Sequence, residues 1–282
     1  MLFVPGNMPD KFTKARASVA SALILDLEDS VAPAAKVEAR RQVVQMLQSP
    51  ASPQQLWLRV NAAPLEHLLA DLAAAVPARP FGIVLPKCNG SASLAPVAHY
   101  LDALETAASI PLGSTRILGI ATETSASLFN FAQYAGCTPR LWGLAWGAED
   151  LSADVGALGN RDGDRYSDPY RLARSLCLFG ATAAGVRAID SVCTSLKDVD
   201  EVHRESAAAF RDGFAGKMAV HPAQLQPIED AFKASSAQLD WSRRVLAAFE
   251  ANPGAGALQL DGRMIDEPHA KLARRLLGQE QP

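Results

Sequence analysis

Three apolar runs in this chain each carry carboxylates at or just before their C-terminal ends. The runs are ALILDLED over residues 22–29, RILGIATET over 116–124 and LWGLAWGAED over 141–150. Two further runs end in polar or basic groups: LWLRVN carries Arg59 near its end, and GIVLPK ends at Lys87. A carboxylate that leaves an apolar strand loses water, so it needs a cation, a metal ion or hydrogen bonds instead. The acidic and basic ends together predict a site for an anionic substrate beside a hard cation.

Glu123 and Asp150 form the most informative pair among these acids. They follow consecutive apolar runs, so neighbouring strands could direct both carboxylates at one Mg²⁺ ion and leave other positions open for water and substrate. From spacing alone, solvent-facing loop acids or salt-bridge partners account for them equally well. Arg59 has two readings as well: a bidentate clamp for a substrate carboxylate, or an internal ion pair with an acid of the DLED segment.

The DLED segment supplies Asp26, Glu28 and Asp29 within four residues. Successive side chains of an extended strand point to opposite faces, so the three acids cannot all face one centre. We expect them mainly to orient Arg59 and metal-bound water. His221, before a proline, is expected to be a hydrogen-bonded turn residue more often than an acid or base. No GxSxG motif is present, which argues against serine hydrolysis.

Short apolar runs alternate with helix-forming segments along the chain. The runs are residues 2–6, 22–29, 56–61, 82–87, 116–124, 141–150, 187–192 and 217–222, and the predicted helices are 9–19, 34–47, 65–75, 94–108, 127–134, 170–184 and 196–211. Near-continuous apolar runs are typical of parallel strands buried on both faces. Eight such units predict an α/β protein with a TIM (β/α)8 barrel, whose reactive groups lie at the C-terminal strand ends. The alternative, a doubly wound sheet, normally has GxGxxG at its first turn, and FVPGNMP does not match it.

Two segments fall outside a minimal barrel. Residues 156–169, GALGNRDGDRYSDP, are expected to form a loop over the barrel mouth. After the eighth strand, helices are predicted at about 238–250 and 266–277, separated by NPGAG. We therefore divide the chain into a catalytic barrel, 1–235, and a C-terminal helical extension, 236–282.

Composition excludes several classes of protein. With 27 basic and 30 acidic residues, the net charge of −3 gives no electrostatic support to a nucleic-acid or polybasic membrane role. No apolar stretch approaches the roughly 18 residues of a membrane span, and MLFVPGNMPDKF lacks the features of a secretory signal. We expect a cytoplasmic protein. Its four cysteines show no CxxC spacing and are expected to be reduced thiols rather than zinc ligands or disulfides.

The order and spacing of the motifs LFVPGNMPDKFTKA, LILDLEDSVAPAAK, LRVN, VLPK, ATET, WGAEDL, GFAGKMAVHPAQ and GRMIDEPHAKLA give the chain a specific resemblance. It resembles the citrate lyase beta-subunit and malyl-CoA lyase family, within the HpcH/HpaI aldolase group, over nearly its whole length. The resemblance implies a Mg²⁺-dependent carbon–carbon lyase of 3-hydroxyacyl thioesters such as citryl-, malyl- or citramalyl-CoA. The products would be an acetyl thioester and a keto acid.

The resemblance also implies roles for individual residues. Glu123 and Asp150 would hold the metal, and Arg59 would bind substrate as a catalytic residue. Asp266 would act as acid or base on a C-terminal lid that reaches a neighbouring subunit of a homo-oligomer, a trimer or hexamer. Phe3 and Lys14 match positions that contact CoA. With Arg59 and Glu123, the remaining polar residues at the strand ends are expected to bind substrate: Asp29, Lys87 and Glu149.

Glu149 stands where some relatives have alanine, so the acyl pocket is expected to differ in charge or size. Three alternatives to lyase activity on CoA stay open. A class II pyruvate-type aldolase would use a similar metal barrel without CoA, and a malyl-CoA thioesterase would release free CoA. The chain could also be a lyase subunit that binds an acyl carrier protein.

Overall fold

The computed structural model describes residues 1–196 and 198–278. The strands are β1 (Leu2–Pro5), β2 (Ala22–Asp26), β3 (Gln55–Arg59), β4 (Gly82–Leu85), β5 (Arg116–Ile120), β6 (Leu141–Ala145), β7 (Arg161–Asp162), β8 (Arg165–Tyr166), β9 (Arg187–Asp190), β10 (Gly216–Lys217), β11 (Ala257–Leu260) and β12 (Arg263–Asp266). The helices are α1 (Pro9–Arg16), α2 (Lys36–Leu47), α3 (Leu65–Ala75), α4 (Ser91–Ala107), α5 (Glu149–Asp154), α6 (Asp168–Ala183), α7 (Val199–Asp212), α8 (Leu225–Ala231), α9 (Ser236–Ala251) and α10 (Glu267–Leu276).

Eight parallel strands form one curled sheet. Its order is β1-β2-β3-β4-β5-β6-β9-β10, so each strand lies beside the next one of the sheet in chain order. Leu2 bridges Ala219 in parallel orientation, and the N–H of Phe3 donates to the carbonyl oxygen of Ala219 at 2.8 Å. The first strand therefore meets the chain just after the last one, as in a (β/α)8 barrel. The predicted α/β class and parallel sheet are confirmed.

Alternate residues of the strands fill the barrel interior. Ala22 and Ile24 from β2, Trp57 from β3 and Val84 from β4 belong to one buried cluster that continues through the later strands. Gly82 is required beside Trp57, because a Cβ at this position would lie 2.5 Å from the indole ring. Since the pleat has a period of two, the residues two positions after Ile24 and Trp57 face inward at the mouth of the barrel.

The structure differs from the sequence-based predictions in three segments. One helix is predicted over residues 127–134, but 125–129 and 131–134 form separate 3₁₀ turns. The side chain of Asn130 donates to Asn89 Oδ1 and to the carbonyl of Ala126, and these bonds compete with a continuous helix. The segment 156–169 contains the antiparallel hairpin β7–β8, and is not loop throughout. The helix expected over 196–211 begins at Val199, and Lys197 lies outside the described residues.

The chain divides into two compact units, Met1–Ala231 and a second unit that begins at Phe232. In the second unit α9 and α10 pack around Val245, Ile265, Ala270 and Ala273. The hairpin β11–β12 lies between these helices in sequence, and the prediction missed it. Its signal was Asp261-Gly262, both with positive φ, which is the preferred dipeptide of a two-residue hairpin turn.

Within residues 1–196 and 198–278, no helix has both the length and the apolar character that a bilayer crossing needs.

Candidate active site

Register between β2 and β3 creates the first charged pair of the site. Asp26 and Arg59 are directly paired across the two strands and both face the barrel interior. Arg59 Nε and Nη2 donate to Asp26 Oδ1 and Oδ2 at 2.7 and 2.8 Å, a bidentate pair. Although burial opposes ionisation, these hydrogen bonds lower the pKa of Asp26. The internal ion pair, one of the two readings of Arg59 from the sequence, is therefore present.

Arg59 keeps one nitrogen directed at further groups. Its Nη1 lies 3.3 Å from Glu28 Oε2 and 3.8 Å from Asp29 Oδ2. The guanidinium also lies over the ring of Phe3, 4.8 Å from its centroid. Asp26 and Phe3 thus hold the guanidinium from two sides, which fixes its orientation at the cavity.

Glu123 follows β5 and is only 4% exposed. Thr122 Oγ1 donates to the Gly147 carbonyl at 3.0 Å and accepts from the Gly147 N–H, so the chain after β5 is joined to the chain after β6. Gly147 packs closely on Glu123, since a Cβ there would lie 3.3 Å from Glu123 Cγ. This junction brings the loop that carries Asp150 beside Glu123.

Burial raises the pKa of Glu123 to about 8. The Lys87 N–H, which donates to Glu123 Oε2 at 2.5 Å, opposes the rise, whereas Asp150 and Glu28 add to it. The carboxylate form of Glu123 is therefore poorly compensated by the protein alone. A cation bound beside it would supply the missing positive charge.

Lys87 supplies part of the positive charge in this cluster. It follows β4 with a positive φ of 52°, and its Nζ donates to Glu28 Oε1 at 2.7 Å and lies 3.4 Å from Asp150 Oδ1. Burial raises the pKa of Glu28 even though Arg59 and Lys87 lower it. Glu28 Oε2 is buried and makes no hydrogen bond among the described residues, but it forms the ion pair with Arg59 Nη1.

The donor set fits a hard divalent cation. Glu123 and Asp150 offer carboxylate oxygens from neighbouring strand ends, and Glu28 places a third carboxylate close to them. Asp150 lies in the first turn of α5 and is partly exposed, so its carboxylate is accessible from the cavity. Carboxylate oxygens are ligands that Mg²⁺ prefers, so these residues fit such an ion.

A cavity of about 370 Å³ opens at this end of the barrel. Six of the residues predicted from sequence line it: Phe3, Asp29, Arg59, Glu123, Glu149 and Asp150. Lys87 reaches the same carboxylates from the side. Lys14 is an exposed residue in the last turn of α1 and is absent from the lining, which includes Lys11 instead. The CoA contact assigned to Lys14 stays a prediction.

Asp266 lies in the second unit, at the junction of β12 and α10. Its Oδ1 is 2.5 Å from His269 Nδ1, and its own backbone N–H donates to that nitrogen at 3.2 Å. The carboxylate therefore has a local partner at the helix N-terminus and is about one-third exposed. Its acid–base role stays a prediction.

Lys11, which lines the cavity, and Asn160, which contacts Glu149, were not predicted from the sequence. Lys11 lies three residues before Lys14 on α1, and residues three apart share one face of a helix. Helical periodicity could therefore have identified Lys11 as a second candidate. Asn160 Nδ2 donates to Glu149 Oε1 at 2.9 Å, a contact between residues eleven apart that no local pattern signals.

Comparison with known proteins defines the class. The family model for HpcH/HpaI aldolase/citrate lyase matches residues 1–222. The chain is 33% identical over 282 residues to a citrate lyase subunit beta-like protein of Mycobacterium tuberculosis (strain H37Rv), covering 99% of this chain and 95% of that protein. The chain belongs to the HpcH/HpaI aldolase/citrate lyase family.

Two further relatives indicate how varied the chemistry of the family is. A (3S)-malyl-CoA thioesterase of Cereibacter sphaeroides (strain KD131) is 33% identical over 284 residues, covering 98% of this chain and 92% of the enzyme. Among solved structures, CitE of Mycobacterium tuberculosis in complex with magnesium, acetoacetate and coenzyme A matches with a TM-score of 0.81 and 32% identity. The match covers 99% of this chain and 96% of that one.

Proposed function

We propose that this chain is a Mg²⁺-dependent carbon–carbon lyase. Its substrate would be a 3-hydroxyacyl-CoA or acyl-carrier thioester such as citryl-, malyl- or citramalyl-CoA, cleaved to an acetyl thioester and a keto acid. The observation that carries the proposal is the buried Glu123 carboxylate, which shares one cavity with Asp150 and Arg59. Support comes from the solved relative that contains magnesium, acetoacetate and coenzyme A.

Glu123 and Asp150 would hold the cation, with Glu28 and Lys87 arranging the water and charge around it. When bound, Mg²⁺ supplies Lewis-acid polarisation of the substrate oxygen next to the bond that breaks. Arg59, held by Asp26 and Phe3, would use its Nη1 to bind a substrate carboxylate and to neutralise negative charge that accumulates during cleavage. Because of the ion pair with Asp26, the Arg59 guanidinium would already be oriented before substrate binds.

Glu149 and Asp29 would face the acyl group from the cavity wall. Asn160 holds Glu149 by a hydrogen bond, so a defined negative charge would border the acyl pocket. We expect this charge to disfavour acyl groups that place a second carboxylate against it. Phe3 would offer its ring to the thioester side of the substrate.

Asp266 would exchange the proton of the acetyl thioester carbon, as acid in cleavage and as base in the reverse direction. We propose that it acts in the site of a neighbouring copy within a homo-oligomer, with residues 236–282 as the lid. Mixing Asp266→Ala chains with Arg59→Ala chains tests this. Activity above that of either variant alone supports a shared site, and no recovery contradicts it.

Replacement of Glu123 or Asp150 by alanine tests the metal assignment. Turnover of malyl-, citramalyl- and citryl-CoA should require Mg²⁺ in the unchanged protein and fall at least about 100-fold in either variant, as for loss of a group that stabilises charge in the transition state. His99→Gln, a change on α4 outside the cavity lining, is the control and should leave turnover unchanged. Full activity in either carboxylate variant would reject the assignment.

Thioester hydrolysis is the second candidate, favoured by the similarity to the (3S)-malyl-CoA thioesterase. A thiol assay distinguishes it, because hydrolysis releases free CoA whereas cleavage of the carbon–carbon bond leaves the thioester intact. Turnover of free hydroxy-keto acids without any thioester would instead indicate a pyruvate-type aldolase.

A further inference from the structure

A second cavity lies between the hairpin β7–β8 and the helices α6 and α7. Its volume is about 430 Å³, and it shares no lining residue with the cavity that contains Glu123. Six arginines line it, against four carboxylates: Arg161, Arg165, Arg171, Arg174, Arg204 and Arg211. We call it the arginine cavity.

Three of the four carboxylates that line the arginine cavity have basic partners, and the fourth, Asp164, is exposed in the turn between β7 and β8. Asp190 accepts from Lys217 Nζ at 2.7 Å and from Arg174 Nε at 3.1 Å. Glu205 accepts from Arg161 Nη2 at 2.5 Å, and Glu201 lies 3.5 Å from Arg161 Nη1. An incoming anion would therefore meet neutralised acids at the base of the cavity.

Two of the arginines that line the cavity are available to bind an anion. The guanidinium groups of Arg165 and Arg204 make no hydrogen bond or ion pair with any residue in the ranges 1–196 and 198–278. Arg171 and Arg211 pair only with exposed acids of their own helix, Asp168 and Asp212. Exposed pairs of this kind are weak and exchange readily for a better acceptor.

The walls hold these groups in position. Arg161 stacks on the ring of Tyr166 at 4.1 Å, and Tyr166 packs edge-on against the buried Trp146, so the hairpin is fixed to the barrel. Along α7 the spacing of Arg204, Ala208 and Arg211 puts them on one face, with the small side chain of Ala208 leaving space between the two arginines.

We propose that the arginine cavity binds a phosphorylated small molecule through a phosphate or pyrophosphate group. A guanidinium presents paired N–H donors that match phosphate oxygens, and Arg165 on β8 and Arg204 on α7 line the same cavity. A doubly charged group gains more from several arginines than a single carboxylate does. The site is separate from the proposed reaction and does not depend on it.

Calorimetric titration of the full chain with inorganic pyrophosphate, in chelator to exclude metal-bound pyrophosphate, tests the proposal. We expect saturable binding that weakens by about tenfold or more in Arg165→Gln and in Arg204→Gln, since each removes a charge-assisted contact. Arg79→Gln removes an exposed positive charge outside the cavity and should bind as the unchanged protein does. Circular dichroism checks that the variants are folded.

Three results would overturn the proposal. The first is no binding of pyrophosphate to the unchanged protein, and the second is equal binding to the two cavity variants and the unchanged protein. The third is loss of binding in Arg59→Gln with binding kept in both cavity variants, which would assign the probe to the Glu123 cavity. None of these readouts needs catalytic activity, so the result is independent of whether the chain is a lyase.

Discussion

Replacing Glu123 with glutamine should change how the stability of the metal-free protein depends on pH. The pKa of Glu123 is raised from 4.5 to about 8 by burial, with Asp150 and Glu28 adding to the effect. Between these two pH values the folded state holds a proton that the unfolded state has lost. Stability therefore falls as pH rises through this window, because the folded chain must finally bear a buried charge.

The shift sets the size of the effect. A rise of about 3.5 pKa units at about 1.36 kcal/mol each corresponds to about 5 kcal/mol in full, of which about 4 kcal/mol falls between pH 5 and pH 8.5. Glutamine carries no titrating group, so the Glu123→Gln variant should lose this part of the pH dependence. Saturating Mg²⁺ should restore the stability of the unchanged protein above pH 8, since a ligand that binds only the folded state stabilises it.

Urea unfolding in chelator at pH 5 and pH 8.5 measures the effect, with Glu149→Gln as the matched control. Glu149 is an exposed carboxylate at the same cavity, so Glu149→Gln tests whether removal of any negative charge there has the same effect. The reasoning is refuted if the unchanged protein and Glu123→Gln lose the same stability between the two pH values.

Two other perturbations test the fold that positions the site. Although burial opposes it, the hydrogen bonds from Arg140 lower the pKa of Glu105 to about 2. About 3 kcal/mol of stability, present above about pH 4.5, should therefore be lost as pH falls toward 2. In Glu105→Gln the urea midpoint should change less with pH over this acidic range. Gly82→Ala should destabilise the protein by about 1–3 kcal/mol, since the new Cβ would lie 2.5 Å from the Trp57 ring; an unchanged melting temperature would contradict that packing.

The sequence was sufficient to predict the parallel sheet and the position of the acids on it. Near-continuous apolar runs are the direct signature of strands buried on both faces, and parallel strands present their carboxyl ends on one rim. Glu123, Asp150 and Arg59 could therefore be assigned to one site from the sequence alone, and all three line the same cavity. The face of β2 on which Asp26 lies follows from the alternation of side chains along a strand.

The hydrogen bonds and ion pairs among the residues at the strand ends could not be predicted, because they depend on strand register and loop conformation. Asp26 bonds Arg59 since the two are cross-strand partners, and Lys87 reaches Glu28 from a left-handed backbone position. The burial that raises the pKa of Glu123 depends on contacts such as that with Gly147, which comes from another strand. The hairpin before Asp266 was predictable in principle from Asp261-Gly262, but the segment is too short and mixed to stand out between two helices.

Anomalous diffraction from crystals grown with Mn²⁺, a divalent ion with the same oxygen preference as Mg²⁺, would locate the cation. We expect one strong peak within bonding distance of carboxylate oxygens of both Glu123 and Asp150, and no such peak in Glu123→Gln crystals. Cys193, Glu201 and Glu205 form another group whose ligand atoms lie within 4.8 Å of one another. A peak at that group, with none between Glu123 and Asp150, would contradict the account.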